Sequence, residues 1–251
     1  MDYGYSSGGA LSTIGFTGVG TLVTYDYDAL GRIDTVSRGN GVVTTLNNDN
    51  LNRIDQINHV GVNRTDFVYN PASQIAERTV TDVNFQTKVP NHGEVAYSVN
   101  ELNQYTAING DKSNSAPSYD LNGNLTAYDG WSYSYNAHNR LTSASAPGKS
   151  LTLTYDATGR LSASTYNGST TEYLYDGNEL IGEYNSTGTL LRSYVHGIAE
   201  DDPLVWFEGS TTSDRRYLLA NEQATIIVET DQSGNTIARH DYSPYGEPMN
   251  Q

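Results

Sequence analysis

Along much of this chain apolar and polar residues alternate one for one. Trp131-Ser132-Tyr133-Ser134-Tyr135 and Leu151-Thr152-Leu153-Thr154-Tyr155 both run at period two. That is the spacing of a pleated strand with one covered face, and helical periodicity is nearly absent. The alternating runs break at a recurring phrase, roughly Tyr-Asp-x-x-Gly-Arg-Leu. Its clearest copies are Tyr27-Asp28-Ala29-Leu30-Gly31-Arg32-Ile33 and Tyr155-Asp156-Ala157-Thr158-Gly159-Arg160-Leu161. Aligned copies start at Tyr27, Asn48, Tyr69, Val99, Tyr119, Tyr135, Tyr155 and Tyr175, in steps of 21, 21, 30, 20, 16, 20 and 20 residues. A period of this size marks one supersecondary unit stacked on itself.

Each position of the phrase has a mechanical reason. Tyr closes a strand and lends its ring to the layer below. Asp or Asn follows because its side chain accepts from backbone amides two residues on, which starts a turn. Gly or Asn in the fifth place suits positive φ. Arg opens the returning strand, and Leu or Ile turns inward beside the Tyr. The unit is therefore a β-hairpin with a loop of about three to five residues. The residues expected to carry it are Tyr27, Asp28, Gly31, Arg32, Tyr119, Asp120, Gly123, Tyr135, Arg140, Tyr155, Asp156, Gly159, Arg160, Tyr175 and Asp176. The copy at Tyr175 is one residue short. The predicted fold is all-β, a stack of antiparallel hairpins forming a curved sheet or a partial β-shell or solenoid.

Composition supports this and narrows the chemistry. Only 36 % of residues are hydrophobic, but 20 are Tyr against 4 Phe and 2 Trp, so tyrosine rings supply much of the apolar area. Each also carries a hydroxyl that needs water or a partner. The 24 Gly suit many tight turns. A net charge of −15 argues against a phosphate-binding surface, which needs a basic stripe, so nucleic acid is not an expected partner. There is no cysteine, which excludes disulfides and thiolate chemistry. No apolar run reaches the ~18 residues of a membrane-spanning helix. The first twenty residues lack the basic start and apolar centre of a signal peptide and read as a Gly- and Ser-rich lead-in.

Candidate sites are few. Trp131 and Trp206 lie off the repeat anchors and are the best candidates for stacking a carbohydrate. The acidic run Glu200, Asp201, Asp202 lacks the spaced oxygen ligands of a calcium loop, and Pro203 makes it read as a solvated turn. His59, His92, His138, His196 and His240 are scattered without metal-ligand spacing. No nucleophile elbow, zinc motif, phosphate loop or dinucleotide fingerprint is present. No catalytic, metal or cofactor residue is therefore assigned. A carboxylate pair for glycoside hydrolysis depends on separation in space and leaves a hydrolase as an alternative.

The phrase resembles the YD repeat of the RHS (rearrangement hotspot) family, which includes wall-associated bacterial proteins, toxin-complex shells and teneurins. Tyr194-Val195-His196-Gly197, with Glu200-Asp201-Asp202-Pro203-Leu204, resembles the family's Tyr-x-x-Gly and Asp-Glu-Pro-Leu. Tyr242-Ser243-Pro244-Tyr245-Gly246-Glu247 is similar to its Tyr-Asp-Pro-Phe-Gly-Glu core motif. The stretch Leu219-Ala220-Asn221-Glu222-Gln223-Ala224-Thr225 departs from the family's His-x-Asp-x-Leu-Gly-Ser. The resemblance implies a secreted or cell-surface bacterial shell segment around a C-terminal toxin, completed by the rest of the shell or by another copy. The expected organisation is a lead-in over 1–20, the repeat sheet over 21–184, and the start of a capping region over 185–251. The family's self-cleavage motif would fall beyond Gln251, so that activity is assigned to no residue here. A carbohydrate-binding or adhesion module is the alternative.

Overall fold

A computed structural model describes residues 1–86, 95–110, 114–243, 246 and 248–249. His92, Pro244, Tyr245 and Glu247, named above, lie outside the described residues. Regular structure among the described residues is all β, apart from one 3-10 turn at Val83–Phe85. Every sheet is antiparallel, and its strands pair in chain order, as stacked hairpins must. The chain forms two compact units.

The first unit comprises Met1–Val89 and Arg192–Gln251. Its N-terminal sheet contains β1 (Asp2–Tyr5), β2 (Leu11–Phe16), β3 (Gly20–Tyr27), β4 (Ile33–Arg38), β5 (Val43–Asn48), β6 (Ile54–His59), β7 (Asn63–Tyr69) and β8 (Ile75–Val80). Residues 1–20 thus contribute two strands, because Leu11–Phe16 pairs with β3. A register shift between Ile14 and Gly15 inserts Leu22 as an extra residue, so Leu22 and its neighbour Val23 both turn inward.

The second unit, Pro90–Leu191, has a small sheet of β9 (Ala96–Val99), β10 (Tyr105–Asn109) and β11 (Asn114–Ser115). A longer run follows: β12 (Ser118–Tyr119), β13 (Leu125–Tyr128), β14 (Trp131–Tyr135), β15 (Leu141–Ala146), β16 (Lys149–Tyr155), β17 (Leu161–Tyr166), β18 (Ser169–Asp176) and β19 (Glu179–Asn185). The chain passes along β20 (Leu190–His196) into the first unit. There it forms β21 (Pro203–Glu208), β22 (Arg215–Ala220), β23 (Ile226–Thr230) and β24 (Thr236–Arg239).

The first unit has two layers. Ile14, Leu22, Val23, Tyr25 and Val36 of the N-terminal sheet cluster with Val195, Leu204, Val205, Phe207 and Tyr217 from β20–β22. A second cluster joins Val42, Val80 and Phe85 to Leu219, Ile227 and Val228. In the second unit the alternation gives two unlike faces. Tyr133, Tyr135, Leu151, Leu153, Tyr155, Tyr173 and Tyr175 are all only half-buried. Ser134, Ser143, Thr152, Thr165 and Thr170 stand directly opposite one another across β14–β18 on the other face.

Candidate functional site

The repeating loop is the most regular local feature. In the first copy Asp28 N donates to Arg32 O at 2.9 Å and Gly31 N to Asp28 O at 3.0 Å, closing a type I turn followed by a left-handed residue. Gly31 has φ +78°. Asp28 Oδ1 accepts from the backbone amides of Leu30 and Arg32, each at 2.9 Å, and Oδ2 accepts from Arg32 Nε at 2.6 Å. One side chain thus satisfies two amides that a three-residue loop would leave bare.

The same geometry recurs at Asp49, Asn70, Asn100, Asp120, Asn136 and Asp156, and past Tyr184 at Asn185, Asn221 and Asp231. The last three copies lack the Tyr-Asp and Gly-Arg dipeptides of the phrase. Their common signal is an Asx residue with a left-handed residue three places on: Gly188, Ala224 or Gly234. The short copy at Tyr175-Asp176 makes a different loop, a two-residue turn in which Asp176 pairs with Glu179.

Arg and Tyr couple one copy to the next. Arg53 lies 4.3 Å from the centre of the Tyr69 ring, Arg140 5.8 Å from Tyr155 and Arg160 4.9 Å from Tyr175. Arg32 Nη1 donates to Asn52 Oδ1 at 2.7 Å in the following loop, and Arg160 Nη1 donates to Gly177 O. The tyrosine hydroxyls reach backward: Tyr27 donates to Leu11 O at 2.6 Å, Tyr155 to Leu141 O at 2.7 Å and Tyr175 to Leu161 O at 2.9 Å. Arg140 lies over Gly159, where a Cβ would collide with its guanidinium. Gly123 and Gly159 have positive φ of 85° and 92°. Tyr119 and Tyr135 both sit at register shifts just before their loops. Hydrogen bonds from the loop hold Asp28, Asp49, Asp120, Asp156 and Asp231 below the usual carboxylate range, those from the Thr158 hydroxyl and Arg160 leading at Asp156.

Polar struts cross the interior of the first unit. Buried Arg38 donates from Nε to Leu218 O at 3.2 Å and from Nη1 to Thr44 Oγ1 at 2.7 Å. Thr44 Oγ1 meets His59 Nδ1 at 2.8 Å, and His59 Nε2 meets Ala220 O at 3.1 Å. A carbonyl only accepts, so Nε2 carries the proton and Nδ1 accepts from the threonine hydroxyl. Burial pushes His59 down to about 4, with Arg38 adding to the shift, and burial lowers Arg38 to about 10. Asn40 Nδ2 donates to Thr230 Oγ1 and Asp231 O at 2.9 and 2.7 Å, and Arg78 pairs with Glu222 at 2.7 Å.

Asp202 departs from the solvated turn expected of Glu200–Asp202. Glu200 and Asp201 are exposed, but Asp202 is half-buried, and burial raises its carboxyl. A Cβ on Gly197 would collide with the Asp202 carboxylate and lie 2.9 Å from Tyr25 Oη, so a side chain there would have to push these two groups aside. His196 is buried, and His138 is exposed at a loop tip.

A cleft of about 380 Å³ in the first unit is bordered by the Arg78–Glu222 pair, Phe85, His240 and Tyr242. His240 Nε2 bonds Glu229 Oε1 at 2.7 Å. No group of three His, Cys, Asp or Glu among the described residues is arranged to hold a metal ion.

The two tryptophans differ. Trp206 has the guanidinium carbons of Arg192 and Arg216 5.8 and 5.4 Å from its ring centre and the Tyr194 ring against it edge-on. A sugar would have to displace an arginine to stack there. Trp131 lies nearly parallel to Tyr133, with centroids 6.4 Å apart and Lys149 Nζ 5.6 Å from the ring.

Residues 99–250 match the teneurin YD-shell family. Among curated proteins, the chain is 28 % identical over 272 residues to the tRNA nuclease WapA of Bacillus subtilis, covering 90 % of the chain and 11 % of that protein. It is 31 % identical over 157 residues to the tRNA3(Ser)-specific nuclease WapA of Bacillus spizizenii, covering 60 % of the chain and 6 % of that protein. Among solved structures, TcdB2-TccC3 without its hypervariable C-terminal region matches with a TM-score of 0.63 and 16 % identity, over 98 % of this chain and 17 % of that one. The Photorhabdus luminescens Tc holotoxin pore matches with a TM-score of 0.62 and 16 % identity, over 98 % and 16 %. The chain therefore spans about a tenth or less of the curated relatives and about a sixth of these structures.

Proposed function

This chain belongs to the teneurin YD-shell family, and on that premise we propose that it is a β-shell segment of an RHS/YD-repeat polymorphic toxin or surface protein. Its role is to enclose or present a C-terminal effector. The observation that carries this reading is the second unit's tyrosine face. Its rings are fixed by backbone hydrogen bonds and by arginines of neighbouring hairpins, yet stay half-exposed. Such a face is a wall awaiting contents or further wall, since rigid, partly exposed aromatic area gains from being covered. The expected partners are the remaining shell or another copy of the chain, with an effector as passenger, and residues 185–251 begin the cap. Secretion or display at a bacterial surface follows from this role.

The test is limited proteolysis of the polypeptide encoded by the complete reading frame that contains this chain. A segment following the repeats that resists trypsin while the shell is folded, and becomes sensitive once it is unfolded, supports enclosure. A segment cleaved equally in both states overturns it. Sedimentation of the isolated chain is expected to show self-association; a compact monomer that binds no apolar dye would count against the open-wall reading.

A second reading, carbohydrate binding, is favoured at Trp131 by its stacked, half-exposed ring beside Tyr133. Saturable glycan binding that Trp131→Ala abolishes, and Trp206→Ala leaves intact, is its expected signature.

A further inference from the structure

We propose that His59 is an acid-sensitive latch that holds the N-terminal sheet of the first unit to strand β22, and that charging it releases the seam. The geometry is specific. His59 is 3 % exposed, and both ring nitrogens are engaged: Nδ1 accepts from Thr44 on β5, and Nε2–H donates to Ala220 O on β22. Thr44 Oγ1 itself accepts from Arg38 Nη1, so its proton points toward the imidazole. A second proton on the ring would face that hydroxyl proton, break the chain at Nδ1, and add a cation next to a buried guanidinium.

The surroundings offer no compensation. From β4 the charged neighbour is Arg38, of like sign to a protonated ring. From β5 and β7 the buried polar neighbours are Thr44, Asn63 and Thr65, all uncharged. From β22 the contact is a backbone carbonyl. Glu222, just beyond β22, is already paired with Arg78. Asp202 and Tyr25 act on Arg38, and His196 acts on Asp202. Asp202 works in the opposite sense, because taking a proton relieves its own burial. The acid sensitivity therefore rests on His59.

The same seam contains Leu218 O, the acceptor of Arg38 Nε, so loss of the Arg38–Thr44–His59 chain loosens two of β22's contacts with the N-terminal sheet together. The consequence is a unit whose seam opens more often in mildly acidic surroundings, whatever the shell contains.

The test is hydrogen exchange on the full chain between pH 7 and pH 5, corrected for intrinsic rates. Amides of β4, β6 and β22 are expected to lose protection roughly 25-fold by pH 5, the ratio that follows when a histidine is charged only in the open state. Amides of β16 and β17 in the second unit serve as the reference and should change little. His59→Gln keeps a donor for Ala220 O and an acceptor for Thr44 without a titrating proton, and should abolish the effect. Unchanged wild-type protection at pH 5, or an equal loss in His59→Gln, overturns the latch. Should His59→Gln fail to fold, the wild-type imidazole titration followed by NMR decides: a midpoint below about 5 supports the proposal, and any higher midpoint overturns it.

Discussion

The two units are built from the same loop but are held together differently. The first covers its sheet with a second layer and buries Leu22, Val23, Val205, Leu219 and Val228 completely. In the second, Ala144 is the one buried apolar residue among those described. Its hairpins are joined edge to edge by strand pairing and the Arg–Tyr ladder, and its apolar face stays half-open. The loop code therefore specifies a hairpin and its neighbour, which a one-dimensional stack requires, but it specifies no core. A core arises only where another layer lies against the face.

Core truncation should separate the units most. Phe207→Ala, at a side chain 1 % exposed, is expected to cost about 3–5 kcal/mol, because it leaves a cavity between two layers. Leu153→Ala, on the half-open face, should cost about 1 kcal/mol, since much of its area already meets water. Denaturant titration read by hydrogen exchange in each unit measures both. Equal costs would mean that the second unit has a covered face, and would dissolve the contrast.

Acid should come next. The first unit carries His59, whose folded value of about 4 lies below its unfolded value of 6.5. Between these the unfolded state binds the extra proton, so stability falls as pH drops from 6.5 toward 4, by on the order of 3 kcal/mol at the acid end. The loop carboxylates, present in both units, are depressed. Their contribution is present above their unfolded value and is lost as pH falls below about 4. The first unit should therefore begin to loosen at a higher pH than the second; simultaneous acid transitions would contradict this.

The loops should show no contrast. Asn70→Ala in the first unit and Asn136→Ala in the second each remove an acceptor for two backbone amides, and each should cost about 1 kcal/mol. A clear difference between them would mean that loop strength depends on the layer beneath. Smallest of all, Leu121→Ala, at a loop tip that is 107 % exposed, should shift stability by no more than about 0.5 kcal/mol.

Much of the candidate site was legible at the level of the loop. Asp28, Gly31, Asp156 and Gly159 do in the structure what short-range physics requires of them, because an Asx turn and a left-handed residue involve only five consecutive positions. Arg32 and Arg160 were legible only in part. Their hydrogen bonds to their own Asp lie within one loop, whereas their reach into the next hairpin depends on strand stacking. The copies at Asn185, Asn221 and Asp231 were hidden, because the loop needs only the Asx and the positive φ, and these copies lack the Tyr-Asp and Gly-Arg pairs of the phrase. The strut through Arg38, Thr44, His59 and Ala220 was not legible at all. It joins positions up to 180 residues apart, and no local pattern sets a buried histidine apart from an exposed one.

By itself the sequence determined the element, its loop and its order. Period-two alternation chooses strands, Asx and Gly choose the turn, and a period near twenty residues places each hairpin beside the last. These are local decisions, made by backbone sterics and by hydrogen bonds within a few residues. Which face is buried, which polar groups lose their water, and which histidine becomes an acid-sensitive strut were decided by tertiary structure. Burial is set by whatever layer lies opposite, and here that layer is strands β20–β24, supplied from the far end of the chain.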